Sequence, residues 1–203
     1  MLALSVFGVL AAPKPVPAAG TPRADQDKAV IYLKKTQKGV EDAIKGLSAE
    51  QLKWKQAPDR WSVQDCLEHI TLSEDFLRAL VTDKVLKLPA APDKVNAATQ
   101  SGTDAMVIKM ITDRSKKAQA PEPLKPSGKW ADAKSMLKEF SARRATTIQL
   151  VRSSPENLRA HFMDSPAAKD LDGIQWVLFI AAHSERHTAQ MLEVKADPNF
   201  PKK

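Results

Sequence analysis

Trp61-Ser62-Val63-Gln64-Asp65-Cys66-Leu67-Glu68-His69-Ile70 joins a helix-capping serine to the start of an apolar face. The Ser62 hydroxyl can accept from the amides of Gln64 or Asp65 and so open a helix. Val63, Cys66, Leu67 and Ile70, continued by Leu77 and Val81, step by three and four and give that helix one apolar face. The pattern carries it to about Lys87, before Pro89. A single apolar face must be buried against others like it, and the rest of the chain supplies them.

Upstream, Val30, Leu33, Gln37, Val40, Ile44 and Leu47 form the stripe of a first helix over about residues 25–47, broken only by Gln37. Ser48-Ala49-Glu50-Gln51 is a capping box for a short turn. Downstream, residues 89–102 read as a loop, and Thr103 or Asp104 opens a third helix. Met106, Val107, Met110 and Ile111 face inward on it, and Ala120-Pro121-Glu122-Pro123 stops it. A fourth helix over about residues 130–153 carries Ala133, Met136, Leu137, Phe140, Thr147, Ile148 and Val151, and Pro155 ends it. After a loop over 156–170, Asp172 caps a fifth helix running to about Val194. Five helical segments, no convincing strand and no internal repeat predict an all-α protein, an antiparallel helical bundle with additional short helix or loop segments.

Composition agrees. The 203 residues are 43% apolar and 27% charged, enough for one domain with a packed core and unlike a wholly disordered chain. Seven glycines and 5% aromatics argue against an all-β fold. The +7 charge raises polyanions as partners. Yet the basic residues come in small groups, Lys34-Lys35, Lys116-Lys117 and Arg143-Arg144, interleaved with acids and not with aromatics, so no specific nucleic-acid partner is expected. One cysteine, Cys66, excludes an intrachain disulfide and a cysteine-based zinc cluster, and its place on an apolar face reads as a small buried hydrophobe.

The N-terminus reads as a separate segment. Residues 2–12 are apolar and uncharged, end in small residues and lead into the proline-rich stretch 13–22, like a secretory core, cleavage region and linker. Cleavage after Ala11, Ala12 or Ala19 and export to the periplasm or outside the cell follow; a disordered cytoplasmic tail is the alternative. The stretch is too short for a transmembrane span, which needs about 20 apolar residues. The expected organisation is residues 1–24 as signal peptide or tail, 25–195 as helical bundle and 196–203 as C-terminal tail.

Chemistry concentrates in four histidines. His183 and His187 stand at i and i+4 on the fifth helix, about 40° apart on one face, so both rings can reach one point. Trp176, Ile180, Met191 and Val194 fall within roughly 60° of them on the helical wheel, which turns the pair inward. Buried imidazoles need partners or a shared cation, because an unsatisfied polar group costs about 1–3 kcal/mol. His69 lies at the edge of its helix's stripe and completes a three-histidine site if the second and fifth helices are neighbours. Three nitrogen ligands with open positions are the catalytic form of a metal site. His161, in the loop Arg159-Ala160-His161-Phe162-Met163, has no partner at ligand spacing and reads as exposed or capping. Asp65 and Glu68 read as solvated, and Glu185 lies about 160° from each of the paired histidines on the helical wheel. Three imidazoles suit zinc, nickel, copper and iron.

Trp61 to Ile70 resembles the opening of the second helix in the DinB/YfiT-like superfamily, a Trp-Ser start followed by a His-Ile or His-Leu pair. Ala182-His183-Ser184-Glu185-Arg186-His187-Thr188-Ala189-Gln190 resembles that superfamily's late-helix signature, HxxRHxxQ. The resemblance covers about residues 25–194. It implies a four-helix core in up-down-down-up order and a divalent metal, zinc or nickel first and manganese or iron after, held by His69, His183 and His187. Gln190 is implied as support for the ligands, and Arg186 as an interhelical salt bridge or a substrate contact. Characterised members include thiol-dependent S-transferases and a thiol-dependent isomerase, which implies a small-molecule substrate, a low-molecular-weight thiol and a homodimer. The expected function is a metal-dependent transferase or hydrolase in which the site activates a water or thiol nucleophile. The alternative is a non-catalytic exported bundle that binds metal or a small ligand.

Overall fold

The computed structural model of the protein describes residues 20–115, 119–165 and 168–202. The apolar N-terminal stretch, its cleavage region and the pair Lys116-Lys117 lie outside the described residues. Six helices account for most of what is described: α1 (Arg23–Ile44), α2 (Ala49–Lys53), α3 (Val63–Asp83), α4 (Ala97–Thr112), α5 (Ala133–Ser153) and α6 (Gly173–Lys195). Among the described residues no helix is long and apolar enough to cross a membrane.

The ends of these helices follow from local hydrogen bonding. Ser62 accepts from the Asp65 amide while the Asp65 carboxylate accepts from the Ser62 amide, a reciprocal box at the start of α3. Ser48 with Gln51 and Asp172 with Gln175 make the same arrangement at α2 and α6. α3 ends at Asp83 rather than Lys87, because Lys84 leaves helical geometry and residues 85–87 tighten into a 3-10 turn. α4 starts at Ala97, earlier than the sequence expectation: Asn96 accepts from the amides of Ala98 and Thr99 and caps it there. Asp104 is therefore not a cap but a buried residue within the helix, and Met106, expected inside, is 47% exposed. The loop after α5 holds two short strands, β1 (Phe162–Met163) and β2 (Leu171–Asp172), paired antiparallel. They are too short to show as a strand pattern in the sequence.

α1, α3, α5 and α6 form the bundle: α6 packs on α1 and α3, α5 packs on α3 and α1, and α4 lies against α6 from outside. The core divides into two apolar clusters. One contains Leu33, Leu77, Val81, Val151, Ile174 and Ile180; the other contains Val40, Cys66, Ile70, Phe140, Met191 and Val194. α1 and α6 run from the first cluster to the second, whereas α3 and α5 run from the second to the first, which is the up-down-down-up order.

Between the clusters lies a polar layer. Arg144, fully buried, donates Nε to Glu74 Oε1, Nη2 to Glu74 Oε2 and Ser184 Oγ, and Nη1 to the Leu33 carbonyl and Thr36 Oγ1, at 2.7–2.8 Å throughout. All five N–H groups of a guanidinium are thus used. Thr147 Oγ1 donates to Glu74 Oε1 at 2.7 Å. Thr36, not Gln37, occupies the polar position of the α1 stripe.

The chain after α6 folds back rather than hanging free. Phe200 packs edge-on against Trp54 and Gln51 Nε2 donates to the Pro201 carbonyl.

Candidate metal centre

α3 and α6 are neighbours beside the polar layer, and they bring His69, His183 and His187 together. One ligating atom from each ring lies within 4.8 Å of the others. His69 Nε2 and His183 Nε2 are 3.1 Å apart, and the three ring centroids are separated by 4.5, 4.6 and 4.9 Å, a nearly equilateral triangle. His69 and His187 are buried and His183 is half-buried. Among the described residues this is the one cluster of histidine, cysteine or carboxylate groups with metal-ligand spacing.

The outward nitrogens of two rings are already committed. His69 Nδ1–H donates to the Leu124 carbonyl at 2.7 Å, and His187 Nδ1–H donates to Gln190 Oε1 at 2.9 Å. A neutral imidazole carries one proton, so both bonds leave Nε2 as a lone pair facing the centre. Burial keeps the rings neutral. It pushes the His187 pKa down to about 3, aided by the His69 ring, and lowers His69. Burial, then the neighbouring His187 and His69, put His183 well below the ordinary range. Neutral nitrogens in a group, with second nitrogens hydrogen-bonded outward, are a donor set that can hold a divalent cation.

Trp61 walls the site, its ring 4.8 Å from His69 and 5.8 Å from His187 between centroids. The connection from α4 to α5 covers it. Glu68 anchors that connection, accepting from the amides of Ser127 at 2.8 Å, Gly128 at 3.0 Å and Lys129 at 3.1 Å. Gly128 turns the chain there at φ 76°, a conformation glycine adopts without strain. Glu68 is therefore buried and not solvated, a correction to the sequence reading: its helix position faces a loop whose path the stripe did not reveal. Adjacent residues of α3 thus hold one loop, Glu68 by its amides and His69 by a carbonyl.

The remaining residues singled out from sequence stand apart from the triangle. His161 is buried rather than exposed, with Nδ1–H donating to the Leu88 carbonyl, because the short strands fold its loop inward. Asp65 is half-buried, tied to the α3 cap and to Lys55 at 2.8 Å. Glu185 accepts from the Tyr32 hydroxyl at 2.5 Å. Arg186 donates to the carbonyls of Ile111 and Asp113 at the end of α4, and so joins two helices. Cys66 is fully buried, and burial pushes its thiol far above the ordinary range, which leaves it inert.

Sequence reading missed Arg114. It donates to Gln190 Oε1 at 3.2 Å and to both oxygens of Glu193 at 2.6 Å. It lies in a connection without periodicity, so no pattern announces it.

Comparison with known proteins agrees with this architecture. Uncharacterized protein YuaE of Bacillus subtilis (strain 168) is 27% identical over 152 residues, spanning 75% of this chain and 88% of that protein. No solved structure matches the chain at a significant level. The family model described as the DinB superfamily matches residues 32–191, which includes the bundle's polar layer and all three histidines, and the chain therefore belongs to the DinB superfamily.

Proposed function

We propose that the protein is a divalent-metal-dependent enzyme in which His69, His183 and His187 hold the cation and Gln190 supports them. The observation that carries the reading is the convergence of three neutral imidazoles within 4.8 Å, with the second nitrogens of His69 and His187 bonded outward. Zinc or nickel suits an all-imidazole set best, with manganese or iron as further occupants. A cation bound there supplies Lewis acidity, lowering the pKa of a water or thiol nucleophile toward neutrality. The chain's own residues orient and shield: Trp61 and the connection anchored by Glu68 wall off one side, and His183 is the least buried of the three rings. The reaction class is thiol S-transfer or hydrolysis.

One observation favours a second reading, a bundle that binds metal or a small ligand without turning it over. The nearby acids have other tasks: Glu68 holds loop amides, Asp65 caps a helix and Glu185 accepts from Tyr32. None of them is free to carry a proton for the reaction. The apolar residues 2–12 support export in either reading, and N-terminal sequencing of the mature protein tests it.

Metal analysis of wild type and a His183→Ala/His187→Ala double variant tests the site; equally low zinc, nickel and manganese in both contradicts it. Metal-loaded protein incubated with an electrophile and a panel of thiols should consume the electrophile in a metal-dependent way. Turnover in water alone assigns hydrolysis, and metal uptake without turnover of electrophiles or esters assigns the binding role.

A further inference from the structure

We infer that Arg114 is a positioning residue of the histidine centre: by orienting the Gln190 amide it selects the His187 tautomer whose Nε2 lone pair faces His69 and His183. The inference deepens the proposed metal site and rests on that reading for its affinity consequence.

The two ends of a glutamine amide have opposite hydrogen-bonding character, and their assignment follows from the surrounding network. A guanidinium only donates. The end of Gln190 that meets Arg114 Nη1 at 3.2 Å must therefore be the oxygen, and that same oxygen lies 2.9 Å from His187 Nδ1. Nδ1 must then carry the proton, and Nε2 of the neutral ring is left as the donor. With the amide reversed, its NH2 group would face Nδ1, the ring proton would move to Nε2, and His187 would have no lone pair to offer the centre.

Arg114 is itself held. Its Nε and Nη2 donate to the two oxygens of Glu193, each at 2.6 Å, a paired contact that fixes the guanidinium plane and aims Nη1 at Gln190. Gln190 and Glu193 stand three residues apart on α6, so one arginine from the α4–α5 connection grips both. The same connection supplies the Leu124 carbonyl that sets the tautomer of His69. Two of the three rings thus take their orientation from one segment outside the four-helix bundle. The plain alternative is an ordinary surface ion pair with Glu193, which leaves the ring tautomer unaffected.

The test is histidine tautomer assignment by 15N nuclear magnetic resonance on the metal-free full chain, above the imidazole titration range, with zinc affinity measured alongside. In wild type His187 should be the Nδ1–H tautomer. Arg114→Met should populate the Nε2–H tautomer and weaken zinc binding by about 10–100-fold. Arg114→Lys, which still only donates, should restore the wild-type tautomer. Glu193→Gln keeps the arginine but loosens its anchor, and should shift the tautomer in the same direction should Arg114→Met fail to fold. An unchanged His187 tautomer in the folded variants overturns the inference. A wild type that takes up no zinc contradicts the metal reading alone, because the tautomer is read without metal.

Discussion

Two polar groups sit side by side in the bundle, one joining Arg144 of α5 to Glu74 of α3 and the other joining α3 to α6, and they are built on opposite principles. The Arg144–Glu74 group is closed: every guanidinium N–H has an acceptor, and the opposite charge is supplied by the protein. The histidine triangle is open: the outward nitrogens of His69 and His187 are bonded, but the inward side holds no charge of opposite sign. A buried ion pair is costly to break because the surviving charge is stranded, whereas three neutral rings strand nothing. The first group therefore specifies how four helices meet, and the second is available to something the chain does not itself provide.

The largest effect is expected at Glu74. Glu74→Ala leaves Arg144 buried without its counterion and should cost about 3–5 kcal/mol in denaturant unfolding, with or without metal. A loss below about 1 kcal/mol would show that the closed group does not hold the bundle. The open group should behave conversely: at metal concentrations near 100 times Kd, wild type should gain about 2.7 kcal/mol, and the His183→Ala/His187→Ala variant nothing. Equal gains would place the metal elsewhere.

A third site holds a buried carboxylate between two cations. Arg159 joins Asp104, Asp172 and Asp25 at the far end of the bundle, with Lys28 also on Asp104. Burial tends to raise the Asp104 carboxyl, but hydrogen bonds from Arg159 and Lys28 outweigh it and hold the group below its ordinary value. A carboxyl depressed in the fold stabilises above its unfolded pKa, and that contribution fades as pH falls through the folded value. Asp104→Asn should accordingly cost about 2 kcal/mol at neutral pH. The gap to wild type should narrow in the acid range below about pH 4, read from unfolding midpoints across pH. The smallest effect belongs to Ser62→Ala, which removes one half of the α3 capping box and should cost about 1 kcal/mol while leaving metal uptake intact.

Much of this was readable from the sequence because it depends on periodicity. The faces of α3, α5 and α6 and the caps at Ser62 and Asp172 follow from local spacing, and so does the inward turn of His183 and His187. Even the closed group left a trace. The apolar stripes skip from Ile70 to Leu77 and from Phe140 to Thr147, and Glu74 and Arg144 fill those gaps. Recognising two facing gaps of opposite charge requires knowing that the helices are neighbours, which no single stripe states.

Contacts made by irregular backbone were not readable. Glu68 looks like a surface acid until the turn at Gly128 brings three amides to it, and Arg114 has meaning only once its connection crosses α6. The burial of His161 is hidden for the same reason: it depends on a strand pair of two residues each. The early start of α4 turns on Asn96, a cap hidden in a stretch whose composition resembles a loop.

Under the proposed function, the open triangle binds a divalent cation through His69, His183 and His187. Calorimetric titration of metal-free full-length protein with zinc and nickel, repeated on His69→Ala, His183→Ala and His187→Ala, tests it most directly. Stoichiometric binding in wild type that weakens sharply in all three variants is the predicted result. Binding that is absent from wild type, or indifferent to the loss of each ring, would contradict it.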